Sequence, residues 1–265
     1  MTLIVNDLFA YFKDKNEPLL LFTLLCFIGG FICFILSRYS TIQVIGMSAW
    51  TKPLKFFISI GIFAFTMALY LVYLDNQRLV NIYCRNFMVC FSAELIFITL
   101  QAARGRKSHY NTETPIDRVI FALMGLALMV ILIHTIFIIT LFFTQKHFNA
   151  SDEMILAIRL SLIITVLFML QGFTMISLFK HTIGAEDGTQ GIPVLNWSKN
   201  YGDLRVAHFL GMHALQVIPF LTLILASSKR DVYIISIIYF SFVIFTLVQA
   251  YQGKSFINQQ APWKV

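Results

Sequence analysis

Glu94 carries the sharpest chemical signal in this chain, because it falls inside an apolar run, Leu79–Gln101, long enough to cross a bilayer. An ionisable side chain there is costly and faces either a partner or a water-filled cavity. Gln101 follows on nearly the same helical face, so the run presents an acid and an amide along one stripe. A second polar group gathers where a later apolar run begins: Trp197, Asp203, Arg205, His208, His213 and Gln216. At about 1.5 Å per residue, Glu94 lies roughly 10 Å below the end of its run and His213 about 13 Å below the start of its own, depths that permit contact. Glu94, His213 and Asp203 are therefore the candidate catalytic groups, for acid–base chemistry or for a metal-activated water. The competing reading gives Glu94 to helix packing, and the histidines to hydrogen bonds that join helices.

Basic and amide groups surround these acids. Lys55, Gln101, Arg104, Arg205 and Gln216, with Trp197, form a candidate substrate wall, although for Arg104, Arg106, Lys107 and Lys55 the reading that needs nothing further is that they set topology and contact acidic lipid headgroups. His109 follows Ser108 in the basic stretch Arg104–Asn111, from which it can reach back as a metal ligand beside His208 and His213. Those last two are about 140° apart around a helix, which makes them a poor joint pair for one ion unless Gly211 or Pro219 distorts the helix. Zinc or haem are the cofactors such histidines would take, though no haem-attachment motif is present. His134 stands alone among aliphatic residues and reads as a packing group; His147 and His181 lie in loops.

These residues are positioned by helices that cross a membrane. The chain is 265 residues long, 58% hydrophobic and 12% charged, with a mean hydropathy of +0.77, too apolar for a soluble domain, where charged residues alone make up about a quarter. Seven runs are long enough to span: Pro18–Ser37, Leu54–Leu74, Leu79–Gln101, Val119–Phe143, Met154–Phe179, Leu204–Ser227 and Val232–Tyr251. Open strands cannot satisfy their backbone groups in lipid, so the expected fold is an all-α polytopic transmembrane bundle in one membrane domain, residues 1–265. Residues 1–17 lack the pattern of a cleaved signal and read as a retained interfacial segment.

The net charge of +7 does not indicate nucleic acid, because the basic residues sit at the ends of apolar runs rather than in one patch. The odd-numbered loops and the C-terminus hold Arg38, Lys52, Lys55, Arg104, Arg106, Lys107, Arg118, Lys180, Lys199, Arg205, Lys254 and Lys264; the other side holds Lys13, Lys15, Arg78, Lys146, Lys229 and Arg230. This bias predicts an outside N-terminus and a cytoplasmic C-terminus, with membrane lipids as partners. It also brings Lys52–Phe56, Glu94–Asn111 and Trp197–His213 to one side, where one polar pocket formed by spans two, three and six is the economical expectation. Gly184–Pro193, rich in turn residues, is either a lid over that pocket or a connector. The four cysteines lie in apolar runs without CxxC spacing, so they indicate neither a disulfide framework nor a zinc ribbon.

The stretches QAARGRKSHYN followed by TPID, GIPVLNWS followed by GDLRVAHFLGMHALQ, and KPLKF resemble those of a family of bacterial multi-pass membrane proteins that has no established activity. The resemblance implies a bacterial inner-membrane location and a multi-pass architecture, and no reaction. Ser108, His109, Asp203, His208 and His213 also loosely resemble the zinc set of ceramidase and adiponectin-receptor-like hydrolases. That family, however, pairs its late histidines one turn apart in the last span, unlike these. Microbial rhodopsins fit poorly, because they bind retinal through a lysine in the last span and Val232–Tyr251 has none. Because Glu94, His109, Asp203, His208 and His213 can gather on one face, the leading expectation is a membrane-embedded enzyme, metal-dependent or not, acting on a lipid or other hydrophobic substrate; the alternatives are a proton-coupled transporter titrating Glu94 and a haem-binding redox protein. A non-catalytic assembly component is disfavoured by the short loops.

Overall fold

The computed structural model describes residues 2–188 and 191–257, with side chains from residue 16 onward. The Lys13 and Lys15 side chains, Thr189 and Gln190 of the expected lid, and Lys264 lie outside the described residues. The fold is all-α, with seven helices among the described residues: α1 (Thr2–Tyr39), α2 (Thr51–Leu71), α3 (Gln77–Ala103), α4 (Pro115–Thr144), α5 (Asp152–Leu178), α6 (Leu204–Leu225) and α7 (Lys229–Tyr251). Each is long and apolar enough to cross a membrane, in α1 from Asn16 onward. The chain is an integral, multi-pass membrane protein. Its contacts divide it into two compact units, Met1–Asn149 and Ala150–Val265.

In the first unit, α1 is interrupted at Asn16 (φ −136°, ψ 31°). Pro18 brings no N–H to the helical ladder there, so a break costs little at this point. The Asn16 side chain instead donates to the Ala68 carbonyl of α2 at 2.9 Å. Lipid tails provide no hydrophobic drive between helices, so close packing must hold them. Small residues allow it: a Cβ on Gly61 would stand 3.1 Å from the Phe27 ring, and one on Gly29 would collide with the Phe57 ring. Phe87 of α3 is wholly buried among Phe22, Phe63, Tyr83 and Phe91, with the Phe63 ring edge-on at 5.2 Å.

Helix ends follow caps more closely than they follow hydropathy. The apolar run of the fourth span begins at Val119, yet α4 starts at Pro115, because the Thr114 hydroxyl accepts the Asp117 N–H and Pro115 needs no donor in the first turn. Between α1 and α2 a hairpin pairs β1 (Gln43–Val44) with β2 (Met47–Ser48) around Ile45 and Gly46, both at positive φ.

In the second unit, Ser151 caps α5 by accepting the Met154 N–H. α5 ends at Phe179 in the left-handed conformation. α5 and α6 meet where a Cβ on Gly211 would collide with the Phe168 ring and one on Gly172 would stand 2.8 Å from the His208 imidazole. The chain after α5 returns as β3 (Thr182–Ile183), paired with β4 (Gly202–Asp203) just ahead of α6. Gly202 lies directly against the Ala250 carbonyl of α7, and that contact fixes Asp203 at the start of α6.

Candidate functional site

Glu94 lies on the buried face of α3, together with Phe87, Phe91 and Ile98, and is wholly inaccessible. Neither carboxylate oxygen has a hydrogen-bond partner among the described residues. His109 Nε2 stands 3.4 Å from Oε1, near enough for charge interaction but outside good hydrogen-bond geometry. The chain after α3 turns at Gly105 (φ 64°) and brings His109 back onto that helix.

The other side of the imidazole is also occupied. His109 Nδ1 lies 3.1 Å from Lys52 Nζ and 3.1 Å from Ser108 Oγ. An ammonium can only donate, so with Lys52 charged Nδ1 accepts, and the ring proton sits on Nε2, facing Glu94. Phe56 of α2 and Phe121 of α4 flank the ring at 5.5 and 6.5 Å between centroids. Burial first, and the Lys52 charge second, hold His109 below the ordinary imidazole pKa, against an opposing pull from Glu94. The unit therefore contains a lysine of the first turn of α2, a histidine of the α3–α4 loop and an acid of α3 in series.

A second buried acid lies close in sequence and differs in kind. Asp117 of α4 is wholly inaccessible. Its Oδ1 accepts from Gln101 at 2.8 Å and Arg104 at 3.0 Å, and its Oδ2 from Arg106 at 2.7 Å and the Thr114 hydroxyl at 2.7 Å. Arg104 also donates to Gln101 Oε1 at 2.8 Å. Two of the candidate substrate residues, Gln101 and Arg104, are thus gathered on Asp117, and Lys55 lies half-buried in the first turns of α2.

In the second unit Asp203 is buried and caps α6. It accepts from the Ser198 N–H at 2.9 Å, the Arg205 N–H at 3.1 Å, Arg205 Nε at 2.9 Å and Nη2 at 2.6 Å. Burial pushes its pKa up, but Arg205, His181 and the Ser198 amide outweigh burial and hold it below the usual carboxylate value. His181 Nδ1 stands 3.3 Å from Asp187 and 3.8 Å from Asp203. Arg205 further donates to the Asn196 carbonyl, and Trp197 packs edge-on to Phe209 and Phe256.

The remaining candidates sit on α6. His208 Nδ1 meets the Phe168 carbonyl of α5 at 2.8 Å, and His213 Nδ1 meets the Phe209 carbonyl one turn earlier at 2.8 Å. A carbonyl only accepts, so both rings carry their proton on Nδ1. Gln216 is half-buried on the same helix. Of the histidines expected to share a metal, His109 belongs to the first unit, and His208 and His213 to the second. Among the described residues no group of three or more His, Cys, Asp or Glu side chains gathers at metal-binding distance. His134 uses both nitrogens, toward Asn86 and the Val130 carbonyl, each at 2.8 Å.

Lys52 and Asp117 were absent from the candidates drawn from sequence. Asp117 carried a signal, since Thr-x-x-Asp ahead of an apolar run marks a capped helix start. Lys52 carried less: it is one of three basic residues in its loop, and only the fold selects it. The chain matches no protein-family model, no curated protein and no solved structure, so the site is read from its geometry.

Proposed function

We propose that this membrane protein is a proton-coupled carrier in which Glu94 and His109 exchange the coupled proton. The observation that carries this reading is a fully buried carboxylate in a membrane span that has no hydrogen-bond partner of good geometry among the described residues and has the His109 imidazole 3.4 Å away. A bare carboxylate in that setting is unfavourable by several kcal/mol, and a proton held by the pair removes the penalty. His109, partly exposed at the loop, can take the proton from the aqueous side and pass it inward from Nε2. The Lys52 ammonium disfavours a positive charge on the ring, so His109 is suited to passing a proton on rather than holding it.

The reading includes a bacterial inner-membrane location with a cytoplasmic C-terminus, supported by the basic residues of the odd-numbered loops. The relay then opens toward the cytoplasm.

Infrared difference spectroscopy tests the proposal on protein reconstituted in liposomes and titrated in pH. A protonated-carboxyl band that titrates in the wild type and is lost in Glu94→Gln is expected, together with proton uptake into dye-loaded vesicles that the same variant abolishes. A band unaffected by Glu94→Gln would overturn it.

A second reading rests on Ser108 Oγ, 3.1 Å from His109 Nδ1. That contact makes a serine, histidine and acid contiguous, as nucleophilic catalysis on a lipid or other hydrophobic substrate requires. The contact joins adjacent residues, and the same local pairing recurs at His181 and Thr182, which weakens it as a catalytic signal. Covalent labelling of Ser108 by a lipophilic phosphonate, lost in His109→Gln, is the result that would favour the enzyme.

A further inference from the structure

The hairpin between α1 and α2 places an apolar side chain where the backbone favours one least. Val44 pairs with Met47, so the loop between β1 and β2 consists of Ile45 and Gly46, at φ 50° and 71°. A two-residue loop with both residues at positive φ is the type I′ turn, which takes Asn-Gly, Asp-Gly or Gly-Gly by preference. Gly46 suits that turn. Ile45 does not, because a β-branched side chain crowds its own backbone at positive φ. Packing within the chain gives little in return: Ile45 is 48% exposed, and a Cβ on Gly46 would meet nothing within 4 Å.

The base of the hairpin, in contrast, is fixed. Ile42 and Val44 pack with Trp50 in one cluster with Cys33 of α1 and Ala102 of α3, and the Ala49 N–H donates to the Ile42 carbonyl at 3.0 Å. The tip is therefore held out from the helix ends, with Ile45 and Met47 (36% exposed) as its open apolar side chains.

The neighbouring sequence selects what covers that tip. α1 ends at Tyr39 and α2 begins at Thr51, so both arms of the hairpin run straight into membrane spans and the tip lies near the bilayer surface. Tyr39, 83% exposed, is an aromatic residue of the kind that settles at the headgroup level. The stretch 38–55 carries Arg38, Lys52 and Lys55 and no acid, a charge that complements anionic headgroups. Water offers nothing to offset the strained position of Ile45, whereas an apolar medium does so in proportion to the area it covers.

We infer that the β1–β2 tip inserts Ile45 and Met47 into the boundary between headgroups and acyl chains of an anionic lipid leaflet, as an interfacial anchor for α1 and α2. The anchor is independent of whether Glu94 exchanges a proton.

The test uses the full chain in liposomes of equal parts phosphatidylcholine and phosphatidylglycerol, with a nitroxide attached at Ile45→Cys or at Met47→Cys. The native cysteines are buried or half-buried, and label on the wild type sets the background. Relaxation of the nitroxide by oxygen, which partitions into lipid, should exceed relaxation by a water-soluble nickel chelate severalfold at both positions. In liposomes of phosphatidylcholine alone the Ile45 label should become shallower. Ile45→Asn relieves the turn, so that chain should melt in detergent no earlier than the wild type, while the label at Met47→Cys shifts toward the nickel reagent. An Ile45 label relaxed more by nickel than by oxygen would overturn the insertion, and one shielded from both would put a protein surface on the tip instead of lipid. Equal depth with and without phosphatidylglycerol would overturn the anionic leaflet, and a Met47 label whose depth survives Ile45→Asn would overturn the part given to Ile45.

Discussion

Glu94 and Asp117 are both wholly buried acids of the first unit, and their surroundings are opposite. Asp117 accepts from Gln101, Arg104, Arg106 and Thr114, so the protein has replaced every water its carboxylate lost. Glu94 has no hydrogen-bond partner of good geometry among the described residues and has His109 at 3.4 Å. Burial alone therefore does not identify a working acid. A satisfied carboxylate fastens structure, whereas one without hydrogen-bond partners beside an imidazole is the one placed for proton exchange. Asp203 in the second unit belongs with Asp117, its oxygens filled by Arg205 and the Ser198 amide.

The comparison breaks first at Asp117. Asp117→Ala leaves Arg104 and Arg106 beside a void and Gln101 without its acceptor, so several hydrogen bonds that tie the α3–α4 loop to α4 are lost at once. Thermal unfolding in detergent should show a large loss, and cleavage between Arg104 and Thr114 by added protease should accelerate. Unchanged stability would mean that these hydrogen bonds do not hold the α3–α4 loop.

Asp203→Asn is the next largest. The amide keeps the cap geometry in part but loses the charge facing Arg205, for an expected cost of about 2–3 kcal/mol. The loss should appear as faster amide exchange at Ser198 and in the first turn of α6, with Glu94 and its surroundings undisturbed.

These two acids also show what the sequence makes legible. The seven helices follow from the length and apolarity of the runs, and Glu94 stands out as a lone charge within one of them. What the sequence does not carry is pairing. Gln101 and Arg104 look like a binding wall because their types suit substrate; Asp117, which takes both, sits beyond the loop in the first turn of the next helix. Lys52 and His109 meet only because the α3–α4 loop folds back at Gly105, a turn that one positive-φ residue allows and hydropathy does not register. Asp203, read as catalytic, has the Asp-x-Arg spacing of a cap, yet its satisfaction depends on Ser198 arriving from across a loop.

Glu94→Leu should act in the opposite sense to Asp117→Ala. Replacing a buried carboxyl group that lacks hydrogen-bond partners by an apolar residue of similar volume removes an unsatisfied polar group, so the variant should be as stable as the wild type or more stable by about 1–2 kcal/mol. Proton binding should be lost at the same time. A gain in stability with loss of proton exchange is the signature of a residue kept for function. Strong destabilisation would instead place Glu94 with Asp117, as a structural acid.

The smallest effect is the pH dependence of the His109 contact. Burial and the Lys52 charge hold the folded pKa of His109 below its ordinary value of about 6.5. Above that pH the ring is neutral in both the folded and the unfolded chain, and His109 contributes no slope. As pH falls through about 6.5 the unfolded chain takes up a proton that the folded one refuses, so stability declines by at most about 1.4 kcal/mol per pH unit until the folded pKa is reached. Melting curves of the wild type should therefore fall over this window, and His109→Gln should remove that part of the slope. Lys52→Met separates the two causes: it removes the ammonium 3.1 Å from Nδ1 while leaving the burial, so the folded pKa should rise and the decline should become shallower. An unchanged slope in Lys52→Met would assign the depression to burial alone and leave Lys52 without a part in setting the proton on His109.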